Sequence, residues 1–346
     1  MILPWHQNAF AKLSQMINQN HLPHALLITG VEKIGKFELA NQLIKTLLCK
    51  NKSCGECKNC LSLEKDNPKE LLDHSVLIRR SHYPNMIYCT NELNDKGILS
   101  KEIRVDQIRT FCVSLEKTAK ELQIGMIFYA DQLNINAANC LLKTLEEPRK
   151  NTLIILLAHN PSSLPATILS RCQSVHINPT FDESTVAWVS NHIDEDKRED
   201  FSAVQLLENS HGVPFKAVED LKGDYFLQYQ NWQNHLLEIA TNPVKANESE
   251  VFDGQELEIL NCLQQLVTQA IRLKTLRKEG ALLELNKVIE KTPVKYFFQL
   301  LDDINRAISM SQTSVNVKLL LDNILIVWSH ITHLKKYPVI TNPREN

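Results

Sequence analysis

Apolar positions along this chain follow two different rhythms, one in each half. Residues 5–18 carry apolar side chains at helical spacing, and "HALLITG" (24–30) is a short continuous apolar run of strand length that stops at a glycine. "FELANQLIKTLLC" then reads as a helix, "HSVLIRR" (74–80) as a strand, and "SKEIRVDQIRTFCVSLEKTA" (100–119) as a helix begun by Ser100, with Glu102 and Asp106 in its first turns. "IGMIFYAD" (124–131) and "NTLIILLAH" (151–159) are nearly uninterrupted apolar runs, with the helix "NAANCLLKTLEEP" between them, closed by Pro148. Strands buried on both faces and separated by helices predict a parallel α/β sheet.

From about Asn178 only helical periodicity remains. "ESTVAWVSNHI", "DFSAVQLLENSHG" and "PFKAVEDL" are short and amphipathic, with Gly212 and Pro214 marking a break. Longer helices are expected over 225–240, 255–278, 294–309 and 315–335. The last, "VNVKLLLDNILIVWSHITHL", is apolar around most of its circumference, which suits either a central core helix or a subunit interface. No internal repeat and no low-complexity segment interrupts the pattern.

Composition narrows the class. At 346 residues the chain is long enough for about two or three domains, and 43% hydrophobic with 23% charged residues fits a folded, mostly helical protein. A formal charge of −2 gives no global basic excess, so any nucleic-acid contact must be local or shared. The start "MILPWHQNAFAKL" has no basic run leading into an apolar stretch, and no window reaches the ~18 apolar residues of a membrane span, so a cytoplasmic location is expected. In such a reducing compartment clustered cysteines are weighed first as metal ligands.

Four stretches carry candidate chemistry. "GVEKIGKF" (30–37) places Gly30, Gly35 and Lys36 on the G-x-x-x-x-G-K pattern, whose backbone N–H groups and lysine cradle phosphates at a helix N-terminus; a plain glycine turn reads the loop equally well. Phe37 stands where a hydroxyl residue would hold Mg²⁺, and a phenyl ring cannot coordinate a hard cation. Asp131 is expected at the end of a buried strand, where an acid can complete a magnesium site, or else as a turn or capping residue. Gln132 follows it, and an amide cannot serve as the base that activates water. "CKNKSCGECKNC" brings Cys49, Cys54, Cys57 and Cys60 within twelve residues, with Gly55 and Asn59 to turn the chain. Four sulfurs favour a closed tetrahedral structural Zn²⁺ site over an iron–sulfur cluster or free thiols. Cys89, Cys112, Cys140, Cys172 and Cys262 are dispersed and read as buried core residues. Finally, "LPATILSRCQSV" sets Ser170, Arg171 and Cys172 at a helix end. Arg171 is there either an exposed cationic finger for another subunit's phosphate site or an arginine paired with a nearby carboxylate.

Taken together, "HALLITG", the four-cysteine insertion, "NAANCLLKTLEEP", "LPATILSRCQSV" and "NVKLLLDNIL" resemble the delta-prime subunits of bacterial DNA polymerase III clamp loaders, a family of the AAA+ class, over essentially the whole chain. The resemblance implies a RecA-like α/β domain with a zinc module at 49–60 (1–178), a small helical lid (179–223) and an all-α collar (224–346) that assembles a five-membered ring. It implies gamma/tau motor subunits and a delta subunit as partners, with a sliding clamp and primed DNA reached through the complex. It further implies that this chain does not hydrolyse ATP and that Arg171, of the Ser-Arg-Cys motif, completes the ATP site of the adjacent motor subunit. Phe215, within "HGVPFKAV", occupies the lid position where motor subunits place a phosphate-sensing arginine. Lys36 is retained, so binding of an anion or nucleotide without turnover stays open.

Two other readings compete. A self-sufficient ATPase motor subunit would need magnesium-dependent turnover despite Phe37. A zinc-dependent nucleic-acid-binding module would use Lys50, Lys52 and Lys58, a basic set diluted by Glu56 and Glu64.

Overall fold

The computed structural model describes residues 2–19, 21–49, 51, 54–66, 78–92, 100–116, 121–193, 202–221, 225–242, 252, 254–277, 280, 282–311, 316–334 and 336–338. Contacts divide the chain into two units: residues 1–185 with 213–215, and residues 186–212 with 216–346.

The first unit is built on a six-stranded sheet ordered β2-β3-β4-β5-β1-β6. Its strands are β1 (Ala25–Thr29), β2 (Ile78–Arg80), β3 (Met86–Cys89), β4 (Gln123–Ile127), β5 (Thr152–Ala158) and β6 (Gln173–His176). All neighbouring pairs are parallel except β2 with β3. β1 sits between β5 and β6, with Leu27 beside Leu156 and Ser174, and every residue of β1 and β5 is buried. That accounts for their unbroken apolar sequence, because a central parallel strand has no solvent face. Helices α1 (Gln7–Asn18), α2 (Lys36–Leu48), α3 (Lys58–Glu64), α4 (Val105–Leu115), α5 (Ile135–Glu146) and α6 (Ala166–Leu169) belong to this unit. Ala25, Leu27, Ile154 and Leu156 form one core with Ile108, Phe111 and Leu115 of α4 and Leu141 and Leu145 of α5. Strand alternation sends Leu26 and Ile28 to the opposite face. Gly125 of β4 is required by close approach: a Cβ there would lie 2.5 Å from the Phe111 ring.

Some expectations need correction. The helix foreseen from Ser100 starts at Val105. Residues before it are drawn into an extended bridge, in which the Ile103 N–H bonds Gln132 O at 2.8 Å, and Gln107 Oε1 then accepts the Arg104 N–H at 2.8 Å to open the helix. Asp131 does not end a strand either. β4 stops at Ile127, Tyr129 adopts a left-handed φ of 52°, and Asp131 lies in the 3₁₀ turn Ala130–Gln132. β3 and α3 were not foreseen. Of "HSVLIRR" only Ile78–Arg80 falls among the described residues, as does only Lys58 of the basic set Lys50, Lys52 and Lys58.

The second unit is helical: most of α7 (Glu183–Asn191), α8 (Ala203–Asn209) and α9 (Pro214–Asp220), then α10 (Tyr225–Thr241), α11 (Glu256–Leu276), α12 (Leu283–Lys291), α13 (Val294–Met310) and α14 (Val317–Ser329). Its described residues include a small apolar cluster around Val189, Leu206, Leu207 and Leu221 and a large one drawn from α10 to α14. Glu208 links the helices beside them, accepting from Gln269 Nε2 at 2.9 Å and pairing with Arg272 at 3.4 Å. α12 was not foreseen, and the final helix is shorter than 315–335. α14 is a core helix, with Trp328 fully buried and its Nε1 donating to Leu236 O, yet Leu319 and Ile326 stay 51% and 56% exposed on its outer flank. Among the described residues no helix is long and apolar enough to cross a membrane.

Candidate functional site

The glycine loop follows β1 and opens α2. Gly35 caps α2 with a φ of 88°, in the left-handed region that favours glycine, and a Cβ on it would meet the His6 and Phe215 rings at 2.9 Å. Ile34 O accepts two bonds from the chain's start, Trp5 Nε1 at 2.9 Å and His6 Nε2 at 3.0 Å. Burial lowers the pKa of His6, so the imidazole is neutral and donates from Nε2 to that carbonyl. Trp5 also packs edge-on against Phe215, with ring centroids 5.4 Å apart. Sequence reading missed Trp5 and His6 as loop contacts, because their partner lies far along the chain and no local pattern marks it.

Lys36 and Phe37, the last two residues of the loop motif, are both buried. Lys36 is buried and its ammonium donates to the loop's own carbonyls, Gly30 O at 2.8 Å and Val31 O at 2.7 Å, with His159 Nδ1 at 3.4 Å. Burial pulls its pKa down to about 8, against the opposing pull of Asp131, Glu32 and Glu38. Phe37 is 8% exposed and stacks on Phe128 at 5.7 Å, with Tyr88 at 6.4 Å completing a three-ring cluster. The ring is therefore part of the core. What remains is a pocket of about 330 Å³ lined by Lys36, Phe37, Tyr129, His159 and Phe215. Tyr129 and His159 stack at 5.3 Å across it, and burial together with the Lys36 charge lowers the His159 pKa. Neither residue was singled out from sequence, since each lies just past a strand end, where nothing local distinguishes it.

After β4 the amide of Gln132 is bonded, whereas Asp131 uses one oxygen and leaves Oδ1 buried without a hydrogen-bond partner. Asp131 Oδ2 accepts the Asn160 N–H at 3.0 Å, which ties the turn after β4 to the end of β5. Gln132 Oε1 accepts from Asn91 Nδ2 at 2.5 Å, and the same amide nitrogen donates to Ser100 O. Gln132 is thus a structural hydrogen-bonding group that cannot take a proton from water.

The four cysteines of the insertion do converge. Cys49 caps the end of α2, Cys57 begins α3 and Cys60 lies within it, and all four Sγ atoms lie within 4.8 Å of one another. Backbone N–H groups already point at the sulfurs, Cys54 to Cys49 and Cys57 to Cys54, each at 3.3 Å. The Cys54 N–H bond draws the Cys49 pKa down, whereas burial drives Cys60 up. An all-sulfur, mutually close donor set with N–H support fits a tetrahedral metal ion. The other five cysteines are free thiols; Cys89, Cys112, Cys172 and Cys262 are buried as expected, but Cys140 is only half-buried.

Ser170, Arg171 and Cys172 separate sharply. Cys172 belongs to the sheet core, and burial raises its pKa to about 11. Arg171 stays at the surface, its side chain 33% exposed, with Nη1 donating to Thr167 O at 2.9 Å and Nη2 paired with Glu146 Oε1 at 2.5 Å. Ser170 Oγ accepts a further bond from Nη1 at 3.2 Å. Glu146 closes α5, so the "LLKTLEEP" helix and the Ser-Arg-Cys turn meet at this ion pair.

Comparison with known proteins bears on the whole constellation. A family model described as "DNA polymerase III, delta subunit" matches residues 5–181. A Pseudomonas aeruginosa protein named "DNA polymerase III subunit delta'" is 31% identical over 222 residues, which are 62% of this chain and 60% of that one. The match thus spans about three fifths of that relative's length. A protein of the same name from Buchnera aphidicola subsp. Baizongia pistaciae is 24% identical and covers 96% of this chain and 99% of its own. A solved Thermotoga maritima protein described as gamma subunit-related aligns over 94% of this chain and 100% of its own, with 17% identity and a TM-score of 0.41.

Proposed function

The chain belongs to the family described as DNA polymerase III, delta subunit, and we propose that it is a delta-prime-type subunit of a clamp loader, without a working ATP site of its own, that completes the site of a neighbour. The observation that carries this reading is Phe37, a core ring where a metal-holding hydroxyl would be needed. Lys36 tied to its own loop and Gln132 tied to Asn91 point the same way, because neither a phosphate lysine nor a base is left poised.

Arg171 is the group that acts in trans. Its pair with Glu146 is a surface ion pair, worth at most about 1 kcal/mol, so exchanging Glu146 for the phosphoryl oxygens of a docked neighbour costs little. There a guanidinium would stabilise the charge that develops on the transferring group. Ser170 holds Nη1 in place, and buried Cys172 anchors the turn. The partners would be gamma/tau motor subunits and a delta subunit, acting on a sliding clamp and primed DNA in the cytoplasm. Residues 1–178, 179–223 and 224–346 would serve as AAA+ domain, lid and ring-forming collar. Cys49, Cys54, Cys57 and Cys60 would hold Zn²⁺, which supplies cross-linking of the insertion rather than catalysis.

The test is ATP turnover by a reconstituted loader with clamp and primed DNA. Arg171→Ala is expected to lower turnover by ~10³-fold, the scale of an arginine finger, while the complex stays intact by gel filtration. Unchanged turnover, or hydrolysis by the isolated chain, would overturn the proposal.

A further inference from the structure

Asp66 is a buried carboxylate, 5% exposed, that lies two residues beyond α3 and has no part in the function above. Both its oxygens are used. Oδ1 accepts the His82 backbone N–H at 3.0 Å and bonds the His82 ring Nδ1 at 2.8 Å; Oδ2 accepts the Tyr88 hydroxyl at 2.8 Å and the Ser81 hydroxyl. Ser81 and His82 lie between β2 and β3, and Tyr88 is on β3, so one carboxylate gathers the whole antiparallel edge of the sheet. Burying a carboxylate is costly, and it is tolerated here because four donors surround it.

These contacts close a circuit. Cys57 caps the start of α3 and Cys60 sits on it, and α3 leads to Asp66; Asp66 holds Tyr88; the Tyr88 ring lies against Phe37 and Phe128. Phe37 opens α2, and the far end of α2 is capped by Cys49, back at the sulfur cluster. Lys45 of α2 pairs with Glu64 of α3 at 3.1 Å, and Asn59 Nδ2 donates to Leu48 O at 3.0 Å, so the two helices are also pinned side by side. Across the four sulfurs the chain's own links are the weak N–H···S bonds of Cys54 to Cys49 and of Cys57 to Cys54, each at 3.3 Å.

We propose that Asp66 is the joint that makes the cysteine module a brace, so that a metal ion on Cys49, Cys54, Cys57 and Cys60 rigidifies the β2–β3 edge and the Phe37 end of α2 together. The inference rests on the metal reading of the four cysteines. By linkage, whatever the metal does to the edge, loosening the edge does to metal affinity in equal measure.

The experiment uses the full chain, with Zn²⁺ as the probe, and two readouts: Zn²⁺ affinity by competition with a chromophoric chelator, and hydrogen exchange with and without Zn²⁺. In the wild type, removing Zn²⁺ should speed exchange ~5- to 30-fold both at the end of α2 and across 78–90, a span that corresponds to a modest local destabilisation. In Asp66→Asn, exchange across 78–90 should be fast with or without metal, the end of α2 should still respond through Cys49, and Zn²⁺ affinity should drop by a similar factor. Tyr88→Phe removes one of the four donors to Asp66 and leaves the carboxylate and the sulfurs in place, and it should weaken Zn²⁺ in the same direction even where Asp66→Asn folds poorly. If the wild type binds Zn²⁺ but 78–90 ignores it, or both variants match the wild type in affinity and response, the joint is refuted while the metal site stands. A wild type that binds no Zn²⁺ refutes both.

Discussion

Replacing Phe37 with serine would write the missing hydroxyl back into the loop, and the structure says what that change costs. The ring is 8% exposed and stacked at 5.7 Å on Phe128, with Tyr88 against it. Truncating a buried phenylalanine typically removes about 3–5 kcal/mol, and the two ring pairs place this site within that range rather than below it. A serine hydroxyl in the resulting cavity would have to find a partner or add a desolvation penalty of its own. At a urea slope near 2 kcal/mol per M, a loss of about 4 kcal/mol moves the unfolding midpoint down by about 2 M. Urea titration read by hydrogen exchange on peptides from β1, β4 and β5 follows the first unit alone. ATP turnover by the same variant should remain at background, since Gln132 stays bonded to Asn91 and no base appears. A midpoint shift under about 0.5 M would show that the ring is not core. Magnesium-dependent turnover in the single variant would show that Phe37 alone silences the site, and either result refutes the reasoning.

Other expectations concern charge and metal. Lys36 has a folded-state pKa near 8, below the usual lysine value, so the unfolded chain binds more protons between about pH 8 and 10.5 and wild-type stability should rise with pH there relative to Lys36→Met; parallel profiles would refute it. His211 is pulled down to about 4 by burial and by the charges of Lys216 and Arg272. Its contribution is present above about pH 6.5 and is lost as pH falls toward 4, so the wild type should lose stability in that window against His211→Asn, measured by pH-dependent melting. Cys57→Ser should reduce bound zinc from one equivalent toward zero by elemental analysis, and full retention would remove that sulfur from the site. Glu146→Gln, by contrast, should change stability by no more than about 1 kcal/mol, because its partner Arg171 lies at the surface.

Much of this protein was written locally. The buried strands β1 and β5 announce themselves as unbroken apolar runs because both their faces are covered, and the loop between β1 and α2 follows from its glycines. The four cysteines could be grouped from spacing alone, since a span of twelve residues leaves few ways to arrange them. The strand β3 escaped notice because it is only four residues long, and helix α12 because its nine residues, though amphipathic, are too few to stand out. The start of α4 escaped because a tertiary bridge from Ile103 to Leu133 pulls the preceding residues out of the helix.

What sequence could not decide is where each polar group is spent. That Phe37 lacks a hydroxyl is legible in one letter; that its ring packs in a cluster with Phe128 and Tyr88 depends on β3 and β4 lying side by side. Arg171 could be named as a candidate, but its pairing with Glu146 required α5 and the Ser-Arg-Cys turn to meet in space. Asp66 was invisible altogether, since its partners lie 15 to 22 residues away on a hairpin. Periodicity and spacing report which residues a segment can bury or gather; long-range partners are set only when the sheet closes and every buried donor and acceptor must find its match.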